Sequence, residues 1–262
     1  IAARLPQGAV RLGTPIERIE RSGNRWRLWE GEGGRRKAES GEQKAEGGDQ
    51  HSALSIQHSA FPGSPPPHVE EFDAVIVATS SAAAARLLQP IDATLAGLLA
   101  SIEHSGTAVV SLGYDRQQVG HPLLGAGAVV PAIEQSPILA VSFSSQKYAH
   151  RAPQGKVLLR VFAGGAHRPE LAEMEDRHLL PLMSEHLARM LEIRGEPCFC
   201  DVAHWPGTMP QYHVGHLDLV ARIQSRLAAL PGLELAGNAY HGVGVPVCIH
   251  SGEQAAERAL TR

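Results

Sequence analysis

Three cysteines in 262 residues are too few for a disulfide scaffold, and they suit a reducing compartment. No apolar run approaches the roughly 18 residues that a membrane-spanning helix needs. Charge of one sign is missing too. The 24 basic side chains stand against 27 acidic ones, a formal balance of −3, which excludes the strongly basic profile of a nucleic-acid binder. The chain opens at Ile1 without an initiator methionine, a basic stretch or an apolar signal region, and is expected to be a piece of something longer. What is present is enough apolar residue for a core, 43% of the chain, with 27 glycines and 18 prolines that promise many turns. The length suits one large domain or two small ones.

Local patterns divide the chain. Thr14 to Ile19, the turn residues Ser22-Gly23-Asn24 and the alternating Arg25-Trp26-Arg27-Leu28 read as a β-hairpin. From Gly31 to His68 apolar side chains become scarce, His51-Ser52-Ala53 recurs as His58-Ser59-Ala60, and Pro65-Pro66-Pro67 closes the tract. Such a segment buries too little apolar surface to offset its ordering entropy, so residues 31–68 are expected to be a disordered low-complexity insertion between strands that pair directly. Phe72 to Ala78 reads as one buried strand of a parallel sheet, and Thr79-Ser80-Ser81 offers caps for a helix through Leu88. Strand signals at 107–113, 138–144 and 157–164, then a helical pattern over 170–191, describe an α+β unit. Beyond them come a strand over 198–204, a helix over 217–230, a strand over 233–236 and a last helix starting near Pro246.

Chemistry concentrates at the end. Gly237 to Pro246 is a glycine-punctuated loop between a strand and a helix start. Its glycines let backbone N–H groups come close to a ligand, and the helix N-terminus favours an electron-rich group. The same spacing also makes a tight structural loop. Metal readings compete less well: Cys198, Cys200 and His204 alternate along a strand, His213 and His216 flank a glycine loop, and His51 and His58 fall in the low-complexity tract. No nucleophile elbow Gly-x-Ser-x-Gly occurs.

The segment Gly237-Asn238, Tyr240, Gly242-Val243-Gly244-Val245-Pro246, Cys248-Ile249, Ser251-Gly252 and Ala255-Ala256 resembles the carboxyl-terminal flavin motif of the protoporphyrinogen oxidases, within the FAD-dependent amine oxidase superfamily. Further pieces are similar in order: Gly125 to Pro131 with Glu134, Phe143 to Pro153, Leu158 to Gly165, and His204-Trp205 with Met209 to Tyr212 and Gly215-His216. Two departures stand out. Val247 occupies a position where the family often has Asp, and the Gly-x-Gly-x-x-Gly fingerprint that holds a pyrophosphate is absent, so the family's first βαβ unit and its substrate-anchoring residues are expected to be missing.

The resemblance implies an α/β plus α+β architecture: a partial FAD-binding, Rossmann-like domain from 1–80 and 205–262, with an α+β substrate-binding domain at 81–204 inserted. It implies FAD as cofactor. Ile16 would pack on the adenine, Trp205 would stand near the flavin end, Asn238 near the ribityl–pyrophosphate, and Val243, Gly244 and Val245 along the isoalloxazine ring. It names no catalytic side chain. The implied reaction is oxidation of a porphyrinogen, protoporphyrinogen IX or coproporphyrinogen III, with molecular oxygen as acceptor, in a cytoplasmic protein with peripheral membrane contact. Another flavin oxidase or desaturase of the superfamily, or a non-catalytic fragment, are the competing readings.

Overall fold

The computed structural model describes residues 4–31 and 68–261, so the expected insertion lies almost wholly outside the described residues. In chain order the elements are β1 (Ile16–Ser22), β2 (Arg25–Glu30), β3 (Val69–Phe72), β4 (Val75–Val77), α1 (Ser81–Leu88), α2 (Ala93–Ala100), β5 (His104–Asp115), β6 (Gly127–Val129), β7 (Ala140–Phe143), α3 (Ser144–Lys147), β8 (Lys156–Gly164), α4 (Pro169–Ala172), α5 (Asp176–Leu191), β9 (Phe199–Pro210), α6 (His216–Leu227), β10 (Leu233–Leu235) and α7 (Val245–Thr261). They divide into two compact units, one from 1–101 with 215–262 and one from 102–214. These boundaries correct the expected 81–204. Helices α1 and α2 pack on each other, and α2 packs on α6, which keeps them in the first unit, while β9 runs on to Pro210 in the second.

In the first unit β1, β2 and β3 form an antiparallel sheet. The expected hairpin is present, turning at Gly23 with φ +62°. Trp29 pairs with Val69 and the Glu30 amide donates to the His68 carbonyl at 3.0 Å, so the strands on either side of the low-complexity tract do pair directly. The run 72–78 is two strands and not one. Asp73 breaks it, β3 staying in the antiparallel sheet and β4 pairing in parallel with β10. Trp26 is wholly buried, and its indole N–H donates to the Pro231 carbonyl at 3.1 Å. Gly232 beside it has φ +80°, and a Cβ there would stand 2.8 Å from the Asp73 carbonyl oxygen, so this turn demands glycine. Asp92 caps α2 through the Leu95 amide at 2.9 Å and takes the Arg226 guanidinium at 2.6 Å, tying α2 to α6.

The second unit is a five-stranded sheet in the order β6-β7-β8-β5-β9, all neighbours antiparallel. Alternation sorts its side chains. Val110, Leu112 and Tyr114 of β5 and Leu159 and Val161 of β8 enter a core closed by Leu179, Met183, Leu187 and Leu191 of α5. The helical pattern expected over 170–191 is interrupted at 173–175, giving α4 and α5. The other face carries Ser142, Leu158, Arg160 and Phe162, with Val109 and Trp205, and Arg160 and Trp205 are exposed there.

Candidate functional site

Because β4 and β10 run parallel, their carboxyl ends lie side by side. From β4 the chain passes Ala78-Thr79-Ser80 into α1, and from β10 it passes 236–244 into α7. Two helix N-termini therefore open at the carboxyl edge of one parallel pair, the position at which open α/β sheets hold ligands. Ser80 caps α1, accepting from the Ala83 amide at 3.4 Å. The longer loop is tied down at three points. The Gly237 amide donates to Ser251 Oγ at 3.2 Å, His216 Nε2 donates to the Tyr240 carbonyl at 3.0 Å, and the Cys248 amide donates to the Gly244 carbonyl at 3.0 Å. Gly237 has φ +124°, and a Cβ built on it would meet nothing within 4 Å, so the glycine serves the turn and leaves space open beside it.

Five of the six residues singled out from the sequence belong to this unit. Ile16 is half-buried at the start of β1, a strand that packs against α1. Asn238 is half-buried in the loop and has an interaction partner. Val243, Gly244 and Val245 form the exposed junction of loop and helix, continued by Val247 and Ile249. Apolar side chains gathered at an open helix end suit a flat, electron-rich ring. Two hydroxyls that the sequence did not reveal strengthen this. Ser81 Oγ and the Tyr240 hydroxyl are buried and have no hydrogen-bond partner among the described residues. Buried polar groups seldom stay unsatisfied, so each asks for a partner that the described residues do not provide. Burial pushes the Tyr240 pKa far above the ordinary tyrosine range, so the group is a neutral donor. The residues present thus fit the ring end of a flavin. The pyrophosphate fingerprint has no counterpart in the sequence.

Trp205 belongs to the second unit, which corrects its expected place in the segment 205–262. It lies within β9 opposite Thr107, half exposed on the open sheet face. Its neighbour His204 turns to the other face, with Nδ1 2.8 Å from the Ala172 carbonyl and Nε2 2.8 Å from Asp176 Oδ1. Two acceptors around one ring favour the imidazolium, and the Ala172 carbonyl, then the Asp176 carboxylate, raise the His204 pKa. Neither ring nitrogen is left to bind a metal with Cys198 and Cys200, both of which are exposed. His213 pairs with Glu103 at 3.1 Å, and His216 is committed to the Tyr240 carbonyl. Among the described residues one ligand-like cluster, Glu30, His68 and Glu70, was not foreseen, but the Arg11 guanidinium already contacts both carboxylates, at 3.1 and 2.5 Å.

The chain is 34% identical to coproporphyrinogen III oxidase of Bacillus subtilis over 190 residues, 72% of this chain and 40% of that one. It is 36% identical to coproporphyrinogen III oxidase of Propionibacterium freudenreichii over 199 residues, 72% of this chain and 36% of that one. A crystal structure of an Exiguobacterium sp. 255-15 protein, assigned provisionally to the protoporphyrinogen oxidases, superposes with a TM-score of 0.72 at 26% identity, covering 95% of this chain and 47% of that one. The chain therefore spans less than half the length of these relatives. With the profile of the flavin containing amine oxidoreductases matching residues 1–260 across both units, the chain belongs to that family.

Proposed function

We propose that this chain takes part in the FAD-dependent oxidation of a porphyrinogen to the porphyrin, with oxygen as the final acceptor. The observation that carries this reading is the likeness to two bacterial coproporphyrinogen III oxidases at 34% and 36% identity, over stretches long enough to include residues of both units. In this reading the first unit is a partial FAD-binding domain and the second an inserted α+β substrate domain. The three cysteines are all free, in keeping with a reducing, cytoplasmic setting. No helix among the described residues is long and apolar enough to cross a membrane, and contact with one would be peripheral.

Val243, Gly244 and Val245 would lie along the flavin ring, Asn238 near the ribityl–pyrophosphate, Ile16 against the adenine and Trp205 toward the flavin end of the substrate space. When bound, FAD supplies the two-electron acceptor for a hydride leaving a methylene bridge of the macrocycle. The chain's own share is positioning and exclusion of water. The α7 N-terminus would set partial positive charge beside an electron-rich group held there, an effect worth roughly 0.3–1 kcal/mol. Val243, Val245 and Ile249 are exposed and none of them is aromatic, which would leave room for a broad, flat substrate. The direct test replaces the matched stretch of the Bacillus subtilis enzyme with this chain. The chimera is expected to convert coproporphyrinogen III to fluorescent porphyrin faster than air alone does. Robust oxidation of a primary amine with no gain in porphyrin would overturn the reading.

A further inference from the structure

The open face of the second unit holds a cavity of about 440 Å3 over β6, β7 and β8 and the segment after α3. Small residues, Gly127, Ala140 and Ser142, form part of its floor, and Leu158 and Phe162 give it an apolar side. Three cations, Lys147, Arg151 and Arg160, line it, and no acidic residue does. Elsewhere in this unit Lys156, Arg168, Arg177 and Arg189 each sit against a carboxylate. Lys147, Arg151 and Arg160 have no such partner among the described residues; each stands over an aromatic ring instead. Lys147 Nζ and Arg151 Cζ lie 5.4 and 5.6 Å from the Tyr148 centroid, and Arg160 Cζ lies 5.7 Å from that of Phe162.

Three like charges converging on one concavity repel one another, and a bound anion relieves that repulsion. Guanidinium groups suit a carboxylate in particular, because their planar fork matches its two oxygens. The apolar floor asks that the anion be carried on a flat apolar body. Register supplies the continuation: Phe162 pairs with Val109, Val109 with Ala203, and Trp205 follows two residues along β9 on the same face. Strand spacing and rise put Trp205 ~12 Å from Phe162 across the sheet.

We propose that this cavity is a carboxylate site, in which Arg151, Arg160 and Lys147 hold propionate groups of the porphyrinogen while Phe162 and Leu158 meet its ring edge. The assignment rests on the porphyrinogen reading and adds to it a preference for a tetracarboxylate over a dicarboxylate macrocycle. The test titrates the chain with coproporphyrin III, with protoporphyrin IX and with the tetramethyl ester of coproporphyrin, following porphyrin fluorescence. Coproporphyrin III should bind most tightly. Arg151→Gln and Arg160→Gln should each weaken it about tenfold, Arg160→Lys should recover part of the loss, and the ester should bind the chain and its variants alike. All three cations are exposed, so unfolding midpoints should not move, and Arg151→Gln alone suffices if Arg160→Gln does not fold. Equal coproporphyrin III affinity in the chain and in both glutamine variants overturns the carboxylate site and leaves the porphyrinogen reading standing. No binding of any porphyrin by the unsubstituted chain overturns both.

Discussion

The two units expose their apolar groups in different company. In the first unit Val243, Val245, Val247 and Ile249 are exposed at the start of α7, where the polar partner on offer is the backbone of the helix end. In the second, Leu158, Phe162 and Trp205 share a sheet face with arginine and lysine side chains. Backbone donors at a helix end are fixed by the fold and suit one constant group, as a cofactor is. Side-chain cations change with single substitutions and suit the part of a ligand that varies between substrates. On the proposed reading, the first unit would hold the cofactor and the second would choose the substrate.

The comparison can be broken most severely by unfolding one side of it. Trp26→Ala should cost the first unit ~4 kcal/mol in urea unfolding, since it empties a fully buried site and strands the Pro231 carbonyl. Arg258→Ala should cost about 3 kcal/mol by the same measurement. Glu234 is 1% exposed in the middle of β10, and the guanidinium 2.8 Å away is its charge partner. A loss under 1 kcal/mol would show that other contacts hold Glu234. In the chimeric enzyme, Val243→Tyr should slow porphyrinogen turnover about tenfold by narrowing the ring surface, with the affinity for coproporphyrin III at the second unit unchanged. An unaltered rate would mean that Val243 does not face the substrate.

Proton linkage sharpens the comparison because the two units respond at opposite ends of the pH scale. Desolvation raises the Asp92 pKa, but the Leu95 amide and the Arg226 guanidinium outweigh it, and the net value is lowered. Its stabilisation is therefore complete above the ordinary aspartate pKa of about 3.9 and is lost as pH falls through the folded value. His204 has the reverse sign. Its raised pKa gives stability that is complete below about pH 6.5 and is lost as pH rises through the folded value. Thermal melts from pH 3 to 9 should show Asp92→Asn flattening the acid limb and His204→Gln flattening the region above neutrality. The smallest effect is expected from replacing residues 32–67 by a short turn. With Trp29 already paired to Val69, loop entropy leaves the melting temperature unchanged or slightly raised. A drop of several degrees would show that the tract contributes contacts.

Local chemistry made much of this legible. Alternation revealed the hairpin around Gly23, the hydroxyl run at 79–81 revealed the start of α1, and Pro246 marked the start of α7 to within one residue. The strand expected over 198–204 runs on to Pro210, with Pro206 and Gly207 inside β9. That strand is the sheet edge, where proline removes no ladder hydrogen bond, and the register shift between Ser105 and Thr107 absorbs the irregularity. The division between units was misplaced because α1 and α2 look the same in sequence whichever unit they pack against. Convergence was invisible for a similar reason. Lys147, Arg151 and Arg160 meet only through the β7–β8 register, and nothing local marks the Ser81 and Tyr240 hydroxyls as unpartnered.

Division of labour between the units is tested most directly by hydrogen exchange on the chimeric enzyme, first with FAD and then with coproporphyrin III added. FAD should slow exchange at 236–248 in the first unit, and coproporphyrin III should add protection at 140–162 in the second. Protection of 140–162 by FAD alone, or no protection there by the porphyrin, would contradict the assignment.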